Sequence, residues 1–105
     1  MSEAAPLSLR GKRALVTGAG QRVGQAIALA LGAQGMHVAV HYRESRDGAE
    51  HTAEQIRQSG GSAVLVAADL TSRDEARRLL DRSVAELGGL DVLVPSAANF
   101  ERVAL

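Results

Sequence analysis

Four short apolar runs alternate with three segments of helical periodicity, and this order restricts the fold more than any other feature. The apolar runs cover residues 13–17, 37–42, 63–68 and 91–94, and helical spacing covers residues 23–31, 47–59 and 76–87. Continuous apolar strands between amphipathic helices predict a parallel sheet with helices on both faces. Right-handed crossovers then predict an incomplete Rossmann-type α/β fold, with its first four strands only, in the order 3-2-1-4.

The ends of these segments carry their own signals. Gly35 is expected to end the first helix in a left-handed cap position, and the glycine pair at 88–89 closes the third helix. Ser72 and Glu75 fit a capping box, in which Ser72 accepts from a free amide and Glu75 reaches back to the cap. Pro95 is predicted to stop the hydrogen-bond ladder of the fourth strand.

The composition is that of one small domain without charge bias. Twelve basic and twelve acidic residues balance to a net charge of zero, which predicts neither a nucleic-acid nor a membrane partner. The chain has no cysteine, and its three histidines lack the spacing of a metal site, so no metal is expected. No apolar run approaches the ~20 residues of a membrane helix. We read residues 1–9 as a loose leader without a signal peptide, residues 10–105 as the folded unit, and the location as cytoplasmic.

The stretch TGAGQRVG, residues 17–24, follows the first strand directly and opens the first helix. Gly18 permits a sharp bend, and Gly24 lets the helix approach the sheet or a pyrophosphate closely. Free amides and the positive end of the helix dipole attract phosphate at such a turn. We therefore predict a dinucleotide site that includes Gly18, Arg22, Val23 and Gly24. Arg22 is either a solvated side chain of the first helical turn or a cation aimed at phosphate.

The end of the second strand indicates which dinucleotide binds. NAD-binding proteins place Asp or Glu about 20 residues past the glycines, where that carboxylate binds the ribose 2′-hydroxyl. Here the segment reads His-Tyr-Arg-Glu-Ser at 41–45, so Tyr42, Arg43 and Ser45 are predicted cofactor contacts. A guanidinium holds phosphate with paired hydrogen bonds, which favours NADP(H) over NAD. An inward-pointing Glu44 would weaken or reverse that preference.

Asp69 and Leu70 follow the third strand and are further predicted cofactor contacts. An aspartate at this place can accept a hydrogen bond from the adenine amino group. The alternative is a plain loop carboxylate near a helix start, and the sequence leaves both open.

Together these residues resemble the amino-terminal half of the short-chain dehydrogenase/reductases. The turn from Thr17 to Gly24, the Asp69-Leu70 pair and the strand LDVLV at 90–94 match that family in order and spacing. Arg22 in place of the middle glycine, with His-Tyr ending strand two, is most similar to the pteridine reductase branch. The resemblance implies NADPH as the cofactor and an Arg22 that contacts cofactor phosphate and borders the substrate pocket.

After the fourth strand the chain departs from the family pattern. The family has Asn-Asn-Ala-Gly or Asn-Asn-Ala-Ser, whereas this chain has Pro-Ser-Ala-Ala at 95–98. By resemblance, Ser96, Ala97 and Ala98 are cofactor contacts, with the first two on the ribose and nicotinamide side. Phe100 matches a position where an aromatic ring stacks on a pterin, so it is a predicted substrate residue together with Arg22.

The family's catalytic Tyr-x-x-x-Lys pair has no counterpart in this sequence. Tyr42 is the one tyrosine and Lys12 the one lysine, and they stand in the wrong order, so we predict no catalytic residue in this chain. The expected function is the NADP(H)-binding portion of an oxidoreductase that transfers hydride to a C=O or C=N bond of a small-molecule substrate. The alternative is a catalytically silent truncated binding module. The uncovered edge of strand four also predicts self-association.

Overall fold

The computed structural model describes residues 8–96, which form four strands and three helices in strict alternation. In chain order these are β1 (Arg13–Thr17), α1 (Arg22–Ala33), β2 (His37–Tyr42), α2 (Arg46–Gln58), β3 (Ser62–Ala67), α3 (Arg73–Leu87) and β4 (Val92–Pro95). Every predicted element is present. Its bounds differ from the expected ones by no more than two residues, except that α3 begins three residues earlier than expected.

The strands form one parallel sheet in the order β3-β2-β1-β4, which confirms the predicted topology. The register sets Val16 opposite Val40 of β2 and Val94 of β4. Because all four strands are parallel, their carboxyl ends lie along one edge of the sheet. The connections that follow β1, β2 and β3 therefore meet at that edge.

Alternation along the strands divides the core into two layers. Ala14 and Val16 of β1 belong to the cluster that includes Ala53 and Ile56 of α2, on the face that α1 and α2 cover. Leu15, between them in sequence, points to the opposite face. That second cluster joins these side chains: Leu15, Ala39, Val66, Ala68, Leu70 and Leu79 of α3. The expected helices on both faces are confirmed.

Two predicted glycine ends are confirmed, and one strand end differs from expectation. Gly35 and Gly88 have φ angles of 83° and 82°, the left-handed conformation that glycine adopts without a Cβ penalty. β4 ends one residue later than expected, because Pro95 is itself the last residue of the strand and pairs with Thr17. Proline is tolerated there because, among the described strands, β4 lies at the edge of the sheet.

The capping box at α3 forms by half. The Ser72 hydroxyl accepts from the Glu75 amide at 3.3 Å, as predicted. The Glu75 carboxylate instead accepts from the Asp69 amide at 2.8 Å, since the Ser72 amide already donates to the Asp69 carbonyl. Glu75 thus fastens the β3–α3 connection to its helix.

The predicted leader, residues 1–9, falls mostly outside the described residues. Leu9 packs against the first core cluster, and its carbonyl accepts from the Lys12 amide at 2.9 Å. The division of the chain at residue 9 stays a prediction.

Candidate functional site

A cavity of about 420 Å³ opens at the carboxyl edge of the sheet, between the connections that follow β1, β2 and β3. Among the predicted site residues, it brings together nine: Gly18, Arg22, Val23, Gly24, Tyr42, Arg43, Ser45, Leu70 and Ser96. Asp69 lies beside it in the chain, between the lining residues Ala68 and Leu70. Ala97, Ala98 and Phe100 lie outside the described residues. Residues that were predicted in four separate segments of the sequence therefore line one cavity.

Backbone contacts hold the glycine turn tightly against the sheet and α1. Gly18 has a φ of 65°, which permits the sharp bend predicted for it. A Cβ added to Gly24 would overlap the Gly18 carbonyl oxygen and lie 2.6 Å from the Ser96 hydroxyl. Of the two predicted roles of Gly24, close approach of the helix to the turn and sheet is the one that these contacts describe.

Arg22 takes a left-handed backbone conformation of the kind that glycine adopts most readily. Its φ is 50°, and it is the one non-glycine residue with a positive φ in the described part of the chain. The left-handed region costs an L-residue roughly 1–2 kcal/mol, a cost that glycine avoids. Its side chain is exposed and lines the cavity. The arginine therefore brings a cation to the cavity at a cost in backbone strain.

The amino terminus of α1 is left open toward the cavity. Its N-cap residue Gln21 makes no capping hydrogen bond and instead donates to the Ser45 hydroxyl at the start of α2. No acidic residue stands in the first turn of α1. Amides and the helix dipole at this end are thus available to an anion. Val23, 66% exposed, adds an apolar patch beside them.

The turn is supported from behind by α2. The Thr52 hydroxyl contacts the Ala19 and Gly48 carbonyls at 3.0 and 2.9 Å and accepts from the Gln25 amide group at 3.0 Å. Gly20 adds a close backbone approach, since a Cβ there would lie 2.9 Å from the Ser45 carbonyl oxygen. Sequence reasoning omitted Gly20 and Gln21 from the site, although both lie within the quoted turn.

The end of β2 supplies an aromatic ring and two charges of opposite sign. Tyr42 is buried, and its hydroxyl accepts from Arg46 at 2.7 Å while that guanidinium lies 5.9 Å from the ring centroid. Arg43 and Glu44 are both exposed and both line the cavity. The guanidinium and the carboxylate are therefore available to the same ligand, as the sequence had left open.

Asp69 is held by its own loop and faces Arg43. One carboxylate oxygen accepts from the Thr71 amide at 3.0 Å and from the Thr71 hydroxyl at 2.6 Å. The other lies 3.5 Å from the Arg43 Nη2. These hydrogen bonds from Thr71, with a smaller contribution from Arg43, lower the pKa of the Asp69 carboxyl. Asp69 is thus ionised at neutral pH.

Ser96 joins the end of β4 to the glycine turn. Its hydroxyl donates to the Thr17 carbonyl, and the Thr17 hydroxyl contacts the Val94 carbonyl at 3.4 Å. The Ser96 side chain therefore closes the β4 side of the cavity, at the predicted contact position where the family pattern has an asparagine.

His41 is a site residue that the sequence reasoning missed. It is 2% exposed, lines the cavity and connects two loops through its ring. Nδ1 accepts from the Gly18 amide at 2.9 Å, and Nε2 lies 2.9 Å from the Ala68 carbonyl oxygen. Burial lowers the pKa of the imidazole, against the opposing effect of the Ala68 hydrogen bond. The available signal was a polar residue that directly follows the apolar centre, VAV, of the strand HVAVHY.

Residues 8–96 contain neither a metal-binding cluster nor a membrane-spanning helix. No group of three or more His, Asp or Glu side chains there could hold a metal ion. No helix in that span is both long and apolar enough to cross a membrane.

Comparison with known sequences gives one consistent answer. A family model described as short chain dehydrogenase matches residues 12–104. A versicolorin reductase of Emericella nidulans is 41% identical over 97 residues, which make up 92% of this chain and 37% of that relative. The chain therefore spans little more than a third of the length of this curated relative.

Comparison with solved structures agrees. The landomycin C-6 ketoreductase LanV, solved with bound NADP and rabelomycin, has a TM-score of 0.74 and 42% identity, covering 82% of this chain and 38% of that one. A dehydrogenase from Burkholderia cenocepacia, solved with bound NADP, has a TM-score of 0.79 and 32% identity, covering 82% and 34%. None of these three proteins is named a pteridine reductase, so the similarity supports the family and not that branch.

Proposed function

Because the chain belongs to the short-chain dehydrogenase family, we propose that it is the NADP(H)-binding portion of a reductase. The observation that carries the proposal is the cavity at the carboxyl edge of the sheet, where an uncapped helix start and two arginines from different loops line one space. Both NADP-bound structures described above share this fold with 82% of the chain. The reaction is hydride transfer between the cofactor and a C=O or C=N bond.

The residues of the cavity fit the parts of a dinucleotide. The pyrophosphate lies against the start of α1 and the turn at Gly18, where open amides and the helix dipole favour negative charge. Arg22, strained in the conformation of a glycine, directs its guanidinium to the same phosphates. Val23 and Gly24 complete this part of the proposed site.

The ribose 2′-phosphate is assigned to the end of β2. Arg43 offers a planar guanidinium and Ser45 a hydroxyl, and both line the cavity. Within residues 8–96, Arg43 makes an exposed ion pair with Asp69, and such surface pairs contribute little stability, so the guanidinium can turn to a phosphate. Tyr42 forms the wall beside it.

Adenine and nicotinamide are assigned to opposite ends of the cavity. Asp69 accepts from the adenine amino group, with Leu70 as its apolar neighbour, and Ser96 lies on the ribose and nicotinamide side. Ala97 and Ala98 continue that side as a proposal from the sequence alone. When bound, NADPH supplies the hydride at its nicotinamide ring, and the residues named here bind and orient it.

We propose that the substrate is a small molecule, and two separate observations support two different substrate classes. LanV, described above, is named a landomycin C-6 ketoreductase, which favours a C=O bond. Arg22 and Phe100 are the residues that support a pteridine, with its C=N bond. Titration of the chain saturated with NADP⁺ by dihydrobiopterin tests the latter, and a Phe100→Ala variant that binds the pterin as tightly as wild type would count against it.

The alternative is a binding module without turnover. The 105 residues contain no Tyr-x-x-x-Lys pair, and their one tyrosine, Tyr42, is buried with its hydroxyl engaged by Arg46. We expect the chain by itself to bind NADP⁺ and to show no NADPH oxidation with any carbonyl substrate. Measurable turnover would require a proton donor other than the family's tyrosine.

Self-association of this chain along β4 is a further proposal. Within residues 8–96, β4 pairs with β1 alone, and Leu93 is 42% exposed. Unpaired strand edges and exposed apolar side chains favour association. Sedimentation velocity should show concentration-dependent dimers that Leu93→Lys reduces, and a monomer at all concentrations would refute this proposal. The cytoplasmic location stays a prediction.

The experiment that tests the proposed function is calorimetric titration of the 105-residue chain with NADP⁺ and with NAD⁺. We expect saturable binding with NADP⁺ at least about tenfold tighter, which corresponds to one charge-assisted contact with the 2′-phosphate. Arg82→Ala, an exposed arginine of α3, is the matched control and should bind like wild type. Equal affinity for both cofactors would refute the preference for NADP(H), and the absence of binding would refute the proposed cofactor site.

A further inference from the structure

His41, near the end of β2, links two connections at the carboxyl edge of the sheet. Its carbonyl accepts from the Ala19 amide at 2.9 Å, its Nδ1 accepts from the Gly18 amide, and its Nε2 faces the Ala68 carbonyl. One buried side chain thus joins the glycine turn after β1 to the β3–α3 connection. These are the two segments proposed above to hold the pyrophosphate and the adenine.

The partners of the ring determine its protonation state. A backbone amide can only donate, so Nδ1 must carry a lone pair toward Gly18. A carbonyl can only accept, so Nε2 must carry the proton toward Ala68. Both demands are met only by the neutral imidazole protonated on Nε2. A second proton on Nδ1 would point at the Gly18 amide hydrogen and replace a hydrogen bond with a repulsive contact.

We propose that His41 is a positioning residue of the cofactor cavity, which holds the Gly18 amide and the Ala68 carbonyl in register as a neutral Nε2–H imidazole and releases the glycine turn when it is protonated. The proposal rests on the proposed cofactor site for its effect on binding. The hydrogen bonds themselves are independent of any ligand.

Charged and titratable groups surround this end of the sheet from each element that meets there. They are Arg22 at the start of α1, Tyr42 at the end of β2, Arg43 and Glu44 after it, Asp69 of the β3–α3 connection and Glu75 in the first turn of α3. Both ring nitrogens of His41 face backbone groups rather than any of these side chains. Protonation of His41 therefore gains no carboxylate partner to offset its burial, which lowers the pKa of the imidazole and favours its neutral form.

The direct test is a two-bond ¹H–¹⁵N correlation spectrum of the chain without ligand, with His37 and His51 assigned by substitution. We expect His41 as the Nε2–H tautomer at neutral pH, with a titration midpoint below about 6.5. The protection of the Gly18 amide from hydrogen exchange should fall as His41 gains its proton. An Nδ1–H tautomer, or Gly18 protection that is indifferent to that titration, would overturn the proposal.

Variants connect the ring to binding. His41→Asn keeps an acceptor near the Nδ1 position but does not titrate, whereas His41→Leu keeps neither hydrogen bond. Affinity for NADP⁺, which tolerates acid, should fall at low pH in wild type more steeply than in His41→Asn. The 2′-phosphate, which gains a proton near about pH 6, contributes equally to both. At neutral pH, His41→Asn should bind within about threefold of wild type and His41→Leu about tenfold more weakly.

The outcomes separate this inference from the cofactor proposal. Parallel pH profiles for wild type and His41→Asn would refute the positioning role even if both bind NADP⁺. If neither binds NADP⁺, the cofactor proposal fails, and the tautomer together with Gly18 protection decides whether His41 holds the turn. Should His41→Leu fail to fold, the wild-type spectrum and the His41→Asn profile still give the answer.

Discussion

The Arg43 guanidinium lies 3.5 Å from the Asp69 carboxylate, so the ends of β2 and β3 meet in an exposed ion pair beside the cavity. These residues are proposed to bind different parts of one cofactor, Arg43 the 2′-phosphate and Asp69 the adenine. A ligand that contacts both would replace their mutual contact with two of its own. Their substitutions should therefore have separable effects.

Arg43→Ala should weaken NADP⁺ about tenfold and leave NAD⁺ unchanged, because NAD⁺ has no 2′-phosphate. Asp69→Ala should weaken both cofactors by a similar factor, because both carry adenine. Asp69→Asn keeps the one oxygen that Thr71 engages and replaces the other with an amide donor, so it should weaken both cofactors as Asp69→Ala does. Calorimetric titration of each variant checks this pattern, and an Arg43→Ala variant that weakens both cofactors alike would contradict the assignment.

Arg22→Gly should separate stability from binding. Glycine relieves the left-handed strain of about 1–2 kcal/mol but adds about 0.4–1 kcal/mol of unfolded-state entropy. We therefore expect urea unfolding to show equal stability or a gain of up to about 1.6 kcal/mol. Affinity for NADP⁺ should fall about tenfold, with Arg22→Lys intermediate. Unchanged affinity in Arg22→Gly would mean that the side chain is only solvated.

Gly24→Ala should destabilise the chain although alanine is the better helix former. Helix propensity alone favours alanine by about 1 kcal/mol. Its Cβ would nevertheless overlap the Gly18 carbonyl and crowd Ser96, and such overpacking costs about 1–3 kcal/mol. Urea unfolding should show a net loss, with Ala30→Ser on the exposed side of α1 as a mild control. A gain in stability would contradict the close approach of α1 to the turn.

The Asp91 carboxylate should make the free energy of unfolding depend on pH in the acid range. Its carboxylate accepts from the Arg13 amide at 2.9 Å and from Arg13 Nε at 3.2 Å, and these contacts lower its pKa. A folded-state pKa below the unfolded value adds stability above about pH 4, which is lost as the pH falls through the folded pKa. The urea midpoint should therefore fall less between neutral pH and about pH 3 in Asp91→Asn than in wild type.

The control for this experiment is Glu86→Gln, which removes a different exposed carboxylate, that of Glu86 in α3. It should keep the wild-type slope of stability against pH. Identical slopes in all three proteins would mean that the Arg13–Asp91 contact does not form in solution.

The sequence predicted the order of elements and the sheet because those depend on local patterns. The run RALVT before the glycine turn and the apolar spacing from Val23 onward are sufficient to place β1 and α1. Parallel strands joined by helices then follow a single handedness, which fixes the order β3-β2-β1-β4. The grouping of Arg22 with Arg43 at one edge follows from that topology.

Long-range register was not predictable in the same way. The contact of His41 with Gly18 requires the β1–β2 alignment that sets Val16 opposite Val40, and nothing local to His41 specifies it. The Glu75 carboxylate missed its expected cap for a similar reason, since the preceding turn had already engaged the Ser72 amide. The inclusion of Pro95 in β4 was not predictable either, because it depends on the pairing of Pro95 with Thr17 of β1, which is a tertiary contact.

The central claim is that a dinucleotide binds where the glycine turn opens α1, and amide chemical-shift mapping of the ¹⁵N-labelled chain with NADP⁺ tests it most directly. We predict saturable shifts concentrated at residues 18–24, 41–45 and 68–70, with α3 residues from Leu79 to Leu87 unaffected. Shifts confined to α3 and β4, or the absence of saturable shifts at the glycine turn, would contradict the account.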